Sequence, residues 1–128
     1  MTALERIMHI EDDPSIQEVA RVALEVVGGF TVRSCDSGAA GVAAADSFAP
    51  QLVLLDVMMP GMDGPQTLTE LRKLPIMEGI PVIFMTAKAQ TQEVTAYRGL
   101  GAAGVIIKPF DPMTLSAQIR EIWEQQHA

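Results

Sequence analysis

The sequence has few cysteines and no long hydrophobic run. Its one cysteine, Cys35, has no partner for an internal disulfide and no Cys or His neighbour at metal-ligand spacing. No apolar stretch approaches the ~20 residues of a membrane span, and the start, MTALERIMHI, lacks the pattern of a secretory signal. We therefore expect a soluble, cytoplasmic protein without membrane contact, in which Cys35 is a small buried apolar residue.

Positive charge is also scarce in this chain. Its 128 residues include 9 Lys and Arg against 16 Asp and Glu, so the formal net charge is −7. Direct binding to nucleic acid or to anionic lipid needs a basic surface, and neither is expected here. A metal cation or a protein partner fits this charge better.

Apolar residues, by contrast, are abundant. They make up 48% of the chain and charged residues only 20%, a balance typical of globular rather than disordered proteins. Domain sizes peak near ~100–150 residues. We expect one domain over residues 1–128, with its core at about 5–125.

Short β-branched runs alternate with longer segments of helical period, which predicts an α/β fold with a parallel sheet. Leu52 to Leu55 are apolar at every position, as expected of a central strand covered on both faces. The predicted strands are residues 6–10, 31–35, 52–56, 82–85 and 104–107.

Helix signals lie between these strands. The first helix should open at Asp13 and Pro14 and end at Gly28 and Gly29. Its predicted buried face is Ile16, Val19, Ala20, Ala23 and Val27. The second helix should follow Ser37 and end before Pro50, and the others should span about 65–73, about 91–100, and 111 or 112 to near the end.

Polar residues stand at the ends of four predicted strands. Glu11 and Asp12 follow the first strand, Asp56 closes the third, Thr86 follows the fourth and Lys108 the fifth. In open α/β sheets, ligands bind outside the carboxyl ends of the strands, where the strand order reverses. These side chains are therefore expected to meet at one edge of the sheet.

The residue types at this edge indicate phosphoryl chemistry. Three converging carboxylates repel one another unless a cation neutralises them, and an all-oxygen ligand set suits Mg²⁺ or Mn²⁺ rather than zinc. Lys108 adds a positive charge and Thr86 a hydroxyl donor. Asp56 can then act as a carboxylate nucleophile that forms an acyl phosphate.

Four segments at these strand ends resemble the receiver domain of two-component response regulators, and the resemblance covers nearly the whole chain. They are IEDDP at 10–14, LLDVMMPGMDG at 54–64, MTA at 85–87 and KPF at 108–110. The resemblance implies a flavodoxin-like (βα)5 three-layer sandwich with strand order 2-1-3-4-5, as in chemotaxis regulators. It also implies a cis peptide bond before Pro109.

The same resemblance implies the site and its roles. Asp56 would be the phosphoacceptor, with Thr86 and Lys108 assisting. Mg²⁺ would be bound by Asp12, Asp56 and the backbone carbonyl of Met58, with Glu11 acting mostly through a metal-bound water.

It further implies a single-domain response regulator, a switch rather than an enzyme. The phosphoryl group would come from a histidine kinase or phosphotransfer protein. A downstream effector protein would read the face formed by helix four, strand five and helix five, and the chain would be a monomer or a weak phosphorylation-dependent dimer. Trp123 would either contact that partner or cover the core edge.

Other interpretations remain open. The chain can be a receiver cut from a longer regulator or a hybrid kinase. An aspartyl-nucleophile phosphatase would want a second acid where Met58 stands. A flavin-binding module would need a phosphate-cradling loop where Glu11 and Asp12 stand. Taken singly, Asp56 could cap a turn, and Thr86 and Lys108 could be ordinary surface residues.

Three positions depart from the family's pattern. Val105 stands where an aromatic residue is common, so we predict that the backbone from 86 to 92 carries the response to phosphorylation. Met58 and Lys88 flank the expected path of the hydrolytic water without an acid or amide, which predicts slow self-dephosphorylation. Separately, His9 is expected to be packed and hydrogen-bonded rather than a ligand.

Overall fold

The computed structural model describes residues 3–88 and 90–127. Its five strands form one parallel sheet in the order β2-β1-β3-β4-β5. They are β1 (Arg6–Ile10), β2 (Thr31–Cys35), β3 (Leu52–Asp56), β4 (Val82–Thr86) and β5 (Gly104–Ile107). The predicted strands and strand order are confirmed, and β4 runs one residue further than predicted.

Five α-helices connect and flank these strands. They are α1 (Pro14–Val22), continued by a π-helical turn (Ala23–Val27), α2 (Gly38–Phe48), α3 (Gly64–Arg72), α4 (Thr91–Gly99) and α5 (Leu115–Gln126), with a short 3₁₀ turn at Pro75–Met77. The bounds of α2, α3 and α4 agree with prediction to within a residue or two. None of the helices in the described part is long and apolar enough to cross a bilayer.

The α1 helix starts as predicted but buries a different face. The Asp13 carboxylate accepts hydrogen bonds from the Ser15 and Ile16 amides at 2.8 and 3.2 Å. Val19 and Val27 are 45% and 46% exposed, so their predicted burial is wrong. In the π-helical turn the Gly28 amide bonds to the carbonyl five residues back, at Ala23. A π-helical turn contains one residue more than an α-helical turn, so Val27 is rotated away from the face that packs on the sheet. Val19 lies at the edge of that face.

The start of α5 was predicted too early. The Asp111 carboxylate accepts a hydrogen bond from the Met113 amide at 2.9 Å, and its carbonyl accepts from the Thr114 amide at 3.1 Å. The bond from Thr114 spans three residues, as in a turn, rather than the four residues of an α-helical bond. The helix therefore begins at Leu115, beyond this turn.

Two apolar clusters cover the two faces of the sheet and make a three-layer sandwich. One contains side chains of α2 and α3 with Tyr97 of α4 packed against it, and the other contains side chains of α1 and α5. Every residue of β3 is buried, as its apolar run predicted. Cys35 is also buried, and desolvation raises the pKa of its thiol, which suits its predicted role as an apolar residue.

Candidate functional site

The strand order reverses between β1 and β3, and the predicted site residues lie at the carboxyl ends of these strands and their neighbours. The Glu11 amide donates to the Cys35 carbonyl at 2.9 Å, which continues the β1–β2 ladder by one residue. Asp56 pairs with Met85 across β3 and β4, so Thr86 lies one residue beyond the partner of Asp56. Sequence order and topology thus bring these residues to one edge.

Three carboxylates meet at this edge. Oxygens of Glu11, Asp12 and Asp56 all lie within 4.8 Å of one another. Glu11 and Asp56 are buried, with 1% and 3% of their surface exposed, whereas Asp12 faces solvent. A cluster of hard oxygen ligands with an open side fits a small divalent cation such as Mg²⁺, which keeps several waters.

The proximity of these acids changes the pKa of Asp12. Its pKa is raised, first by partial desolvation and then by its hydrogen bond with Glu11 and the negative charge of that residue. Its carboxylate therefore holds a proton more readily than an isolated aspartate. A bound cation would relieve the same repulsion.

Lys108 joins the two buried acids. Its Nζ lies 2.8 Å from Oε1 of Glu11 and 3.0 Å from Oδ1 of Asp56. Burial alone would lower the pKa of Lys108, but the hydrogen bonds and charges of these carboxylates raise it above its ordinary value. The ammonium is therefore a fixed positive charge. The peptide bond between Lys108 and Pro109 is cis, as the family resemblance implied.

Thr86 is beside the acids but bonded elsewhere. Its side chain is buried, and its Oγ1 accepts a hydrogen bond from the backbone amide of Lys88 at 3.0 Å. A hydroxyl that accepts one bond still has its own proton to donate. Thr86 can therefore donate its hydroxyl proton to a group bound at Asp56 in two ways. Its side chain can rotate away from the Lys88 amide, or its Oγ1 can donate while it still accepts from that amide.

Two residues outside the predicted set of ligands and catalytic groups support the site. The Gln17 side-chain amide donates to the carbonyl of Glu11 and holds the backbone of that residue in place. A side chain at Gly64 would have its Cβ 2.8 Å from the carbonyl oxygen of Asp56. The MDG part of the motif was a signal for Gly64, but no local pattern pointed to Gln17.

Met58 follows Asp56 by two residues and projects outwards, with 75% of its surface exposed. Position 58 beside the site therefore carries an exposed apolar side chain rather than an acid or an amide. Its backbone carbonyl remains a predicted metal ligand. Ala89, in the segment predicted to respond to phosphorylation, lies outside the described residues.

Replacing Lys108 by Met should destabilise the protein when divalent cations are absent. The substitution leaves two buried carboxylates without their shared positive charge. We expect the free energy of unfolding in a chelator to fall by about 3 kcal/mol. Urea unfolding with EDTA and then with Mg²⁺ measures this, and Mg²⁺ should restore more stability to the variant than it adds to the natural chain.

A matched control is Lys73→Met, which removes an exposed lysine paired with Glu70 at 2.7 Å. Exposed ion pairs contribute little, so this variant should unfold like the natural chain. Equal stability of Lys108→Met and Lys73→Met in EDTA would contradict the role assigned to Lys108.

His9 is buried but not hydrogen-bonded, so half of its prediction is wrong. The His9 side chain is completely buried. Neither of its ring nitrogens has a hydrogen-bond partner among the described residues, 3–88 and 90–127. Desolvation, with a smaller contribution from the charge of Lys108, lowers its pKa to about 4. His9 is therefore a neutral residue beneath the site. Trp123 packs against the α1/α5 core cluster, which supports its role in covering the core edge.

Comparisons with known proteins agree with this geometry. A family model described as the response regulator receiver domain matches residues 7–120. The DNA-binding response regulator MtrA of Mycolicibacterium smegmatis is 35% identical over 119 residues, which are 93% of this chain and 50% of that protein. The transcriptional regulatory protein CseB of Streptomyces avermitilis is 35% identical over 91% of this chain and 48% of its own length.

Solved structures show the same architecture. Chemotaxis protein CheY4 of Vibrio cholerae superposes with a TM-score of 0.87 at 23% identity, covering 94% of this chain and 99% of that chain. A CheY-like receiver domain protein of Methanospirillum hungatei gives 0.83 at 28% identity, with 98% of each chain covered. The chain thus spans nearly all of these structures, but only about half the length of the curated relatives it matches.

Proposed function

The chain belongs to the response regulator receiver domain family, and from this we propose that it accepts a phosphoryl group on Asp56 from a histidine kinase or phosphotransfer protein. The observation that carries the proposal is the cluster of Glu11, Asp12 and Asp56 with Lys108 between the buried acids. A phosphatase of the aspartyl type or a flavin-binding module finds no support in this site or in the family match. We therefore propose a switch rather than an enzyme.

Asp12, Asp56 and the backbone carbonyl of Met58 would hold Mg²⁺ or Mn²⁺ directly, and Glu11 would act through a bound water. When bound, the cation neutralises negative charge on the phosphoryl group. The chain's own groups do the rest. A carboxylate oxygen of Asp56 attacks phosphorus, and the bond from phosphorus to the donor's imidazole nitrogen breaks with the electron pair leaving on nitrogen.

The other residues position and stabilise the transferred group. Lys108 presents its ammonium at the carboxylate of Asp56, where negative charge accumulates. Thr86 would donate its hydroxyl proton to a phosphoryl oxygen. Neither residue needs to exchange a proton for the transfer, because a donor ring that is protonated on its other nitrogen leaves as neutral imidazole.

The experiment that tests this function uses acetyl phosphate, a small phosphodonor, with Mg²⁺. Intact-mass spectrometry should show the addition of one phosphoryl group, and EDTA should prevent it. Peptide mapping should place the group on the segment that contains Asp56. Absence of any mass increase with Mg²⁺ present, or its location on another segment, would contradict the proposal.

An apolar cleft beside the site suits a docking donor. Its volume is about 400 Å³, and it is lined by the start of α1, the loop after β4 and the loop after β5. Ile16, Val19 and Phe110 supply apolar surface next to Lys108. We propose that a helical phosphodonor protein seats an apolar side chain here while its phosphohistidine reaches Asp56.

The output is proposed to pass through an effector protein in the cytoplasm, at the face of α4, β5 and α5, with the chain a monomer or a weak phosphorylation-dependent dimer. The net charge of −7 argues against direct contact with nucleic acid. The relatives of twice this length favour a second possibility, a receiver within a longer regulator. Detection of the native protein at 13.8 kDa in its source cells would favour the stand-alone form.

Self-dephosphorylation of Asp56 should be slow. Met58 is exposed at the rim of the site and Lys88 is exposed beyond Thr86, and neither offers an acid or amide to orient a hydrolytic water. We expect a lifetime long relative to that of fast chemotaxis regulators. Decay of the phosphorylated protein within seconds, followed by mass spectrometry after removal of the donor, would contradict this.

A substitution at Met58 sharpens that prediction. Met58→Asn supplies an amide that can orient water, while the backbone carbonyl proposed as a metal ligand stays in place. The lifetime should shorten about tenfold, which corresponds to ~1.4 kcal/mol in the barrier. Met113→Asn, at a similarly exposed methionine in the turn before α5, is the matched control and should leave the lifetime unchanged.

A further inference from the structure

Met58 is an exposed thioether side chain beside the site. With 75% of its surface exposed, it is one of two strongly exposed methionines in the described part of the chain, and Met113 is the other at 69%. Met8, Met77 and Met85 are fully buried. A methionine sulfur is oxidised where an oxidant can reach it. Exposure therefore selects Met58 and Met113 among the methionines of residues 3–88 and 90–127.

The backbone on either side of Met58 is held in place. Val57 and Met59 are both buried, and each is 8% exposed. The Val57 amide donates to the Met85 carbonyl at 3.1 Å, and the Val57 carbonyl accepts from the Gly64 amide at 2.9 Å. A chemical change confined to the Met58 side chain therefore leaves the loop after β3 in its position.

Met58 lies within reach of the phosphoacceptor. Two residues of chain span at most about 7 Å, so the Cα atoms of Asp56 and Met58 are no further apart than that. The methionine side chain is unbranched and flexible. Asp56 is itself only 3% exposed, so a water that attacks a phosphoryl group on Asp56 has to enter past the residues that surround it. The exposed side chain of Met58 is one of these residues.

Oxidation changes what this side chain can bind. A hydroperoxide transfers an oxygen atom to the sulfur: the sulfur–oxygen bond forms, the oxygen–oxygen bond breaks, and hydrogen peroxide leaves as water. The sulfur loses two electrons and the peroxide gains them. A thioether is a weak hydrogen-bond acceptor, whereas the sulfoxide is polar and carries an acceptor oxygen. Oxidised Met58 can therefore hold a water by a hydrogen bond.

Neighbouring sulfur atoms are better protected. Cys35 is buried, and desolvation raises the pKa of its thiol, so little of the reactive thiolate forms. Met59 belongs to the core cluster on the α2 and α3 side of the sheet. Met62 is half-buried, and its sulfur lies against Gly38 of α2. Within the motif at 54–64, Met58 is thus the methionine that an oxidant meets first.

We propose that Met58 is a redox modification site, and that its oxidation by a hydroperoxide shortens the lifetime of the phosphoryl group on Asp56. This inference rests on the proposed phosphoacceptor function. The sulfoxide oxygen accepts a hydrogen bond from the attacking water and orients it towards phosphorus. The water oxygen bonds to phosphorus, and the bond from phosphorus to the Asp56 oxygen breaks with its electron pair leaving on the carboxylate. Inorganic phosphate is released, and the proton of the water passes to solvent.

The experiment uses the variant Met113→Leu, in which Met58 is the strongly exposed methionine that remains in the described residues. One half of the sample is treated with dilute hydrogen peroxide, which catalase then removes, and peptide mapping locates the added oxygen. Both halves are phosphorylated with acetyl phosphate and Mg²⁺, the donor is removed, and intact mass follows the decay. The phosphoryl lifetime should be about tenfold shorter in the oxidised half, as expected for Met58→Asn.

Two controls separate this effect from general oxidative damage. In Met58→Leu, treatment with peroxide should leave the phosphoryl lifetime unchanged. In the oxidised Met113→Leu protein, methionine sulfoxide reductases for both sulfoxide epimers, with dithiothreitol as the source of electrons, should remove the oxygen from Met58. The lifetime should then return to that of the untreated half.

The outcomes distinguish the two proposals. Absence of a phosphoryl adduct in the untreated protein overturns the proposed function, and this inference with it. Normal phosphorylation together with oxygen added elsewhere but not at Met58 overturns this inference alone. A Met58 sulfoxide with an unchanged or longer phosphoryl lifetime also overturns it, as does an equal shortening in Met58→Leu.

Discussion

Asp56→Asn is expected to abolish phosphoryl transfer from acetyl phosphate completely. An amide oxygen is a far poorer nucleophile than a carboxylate, and the variant also removes one of the three clustered acids. The measurement is intact mass after incubation with Mg²⁺, alongside the natural chain at equal concentration. The variant should show no phosphoryl adduct at times when the natural chain is fully converted.

The matched control is Asp63→Asn, seven residues along the same motif. The Asp63 carboxylate caps α3 by accepting a hydrogen bond from the Gln66 amide at 2.9 Å, and asparagine caps a helix equally well. This variant should be phosphorylated like the natural chain. An adduct that survives Asp56→Asn would show that the acceptor is another residue, and the assignment of Asp56 would then fail.

Acidification from pH 7 to below pH 4 is expected to lower the free energy of unfolding by about 3 kcal/mol through the protonation of His9 alone. The folded protein keeps this ring neutral to about pH 4, while the unfolded chain protonates it near pH 6.5. Between these values the unfolded state binds more protons. The contribution of the neutral ring is therefore fully present above pH 6.5 and is lost as the pH falls towards 4.

The variant His9→Leu isolates this effect. Leucine fills similar space, cannot titrate and leaves no buried nitrogen without a partner, so it should be at least as stable as the natural chain at pH 7. Urea unfolding of both proteins from pH 7 to pH 4 gives the difference in free energy at each pH. That difference should widen in favour of the variant as the pH falls. Parallel curves would show that His9 is not held neutral.

Local sequence patterns carried most of the fold. The apolar run at 52–55 marked the central strand, and the caps at Asp13 and Ser37 marked the starts of two helices, because these signals depend only on neighbouring residues. The prediction was wrong where a local hydrogen bond changed the regular helix that the residue pattern indicated. The Asp111 turn delayed α5, and the π-helical turn after Val22 changed which residues of that segment face the sheet.

The candidate site could be foreseen as a set of residues but not as a geometry. Glu11, Asp56 and Lys108 stand at strand ends, and parallel strands place their carboxyl ends together, so sequence alone indicated that they meet. It did not indicate that Lys108 bonds to both acids, across 97 and 52 residues of chain. Nor did it indicate that the Thr86 hydroxyl bonds to the Lys88 amide.

The sequence by itself determined the strand and helix pattern, the edge at which the acids gather and the family of the chain, because each depends on short-range order and residue type. Only the tertiary structure decided that His9 has no hydrogen-bond partner in the described chain and that Tyr97 meets Phe84. These facts depend on how side chains from distant segments fill the space between sheet and helices. That packing is a property of the whole fold and leaves no signature in the neighbouring residues.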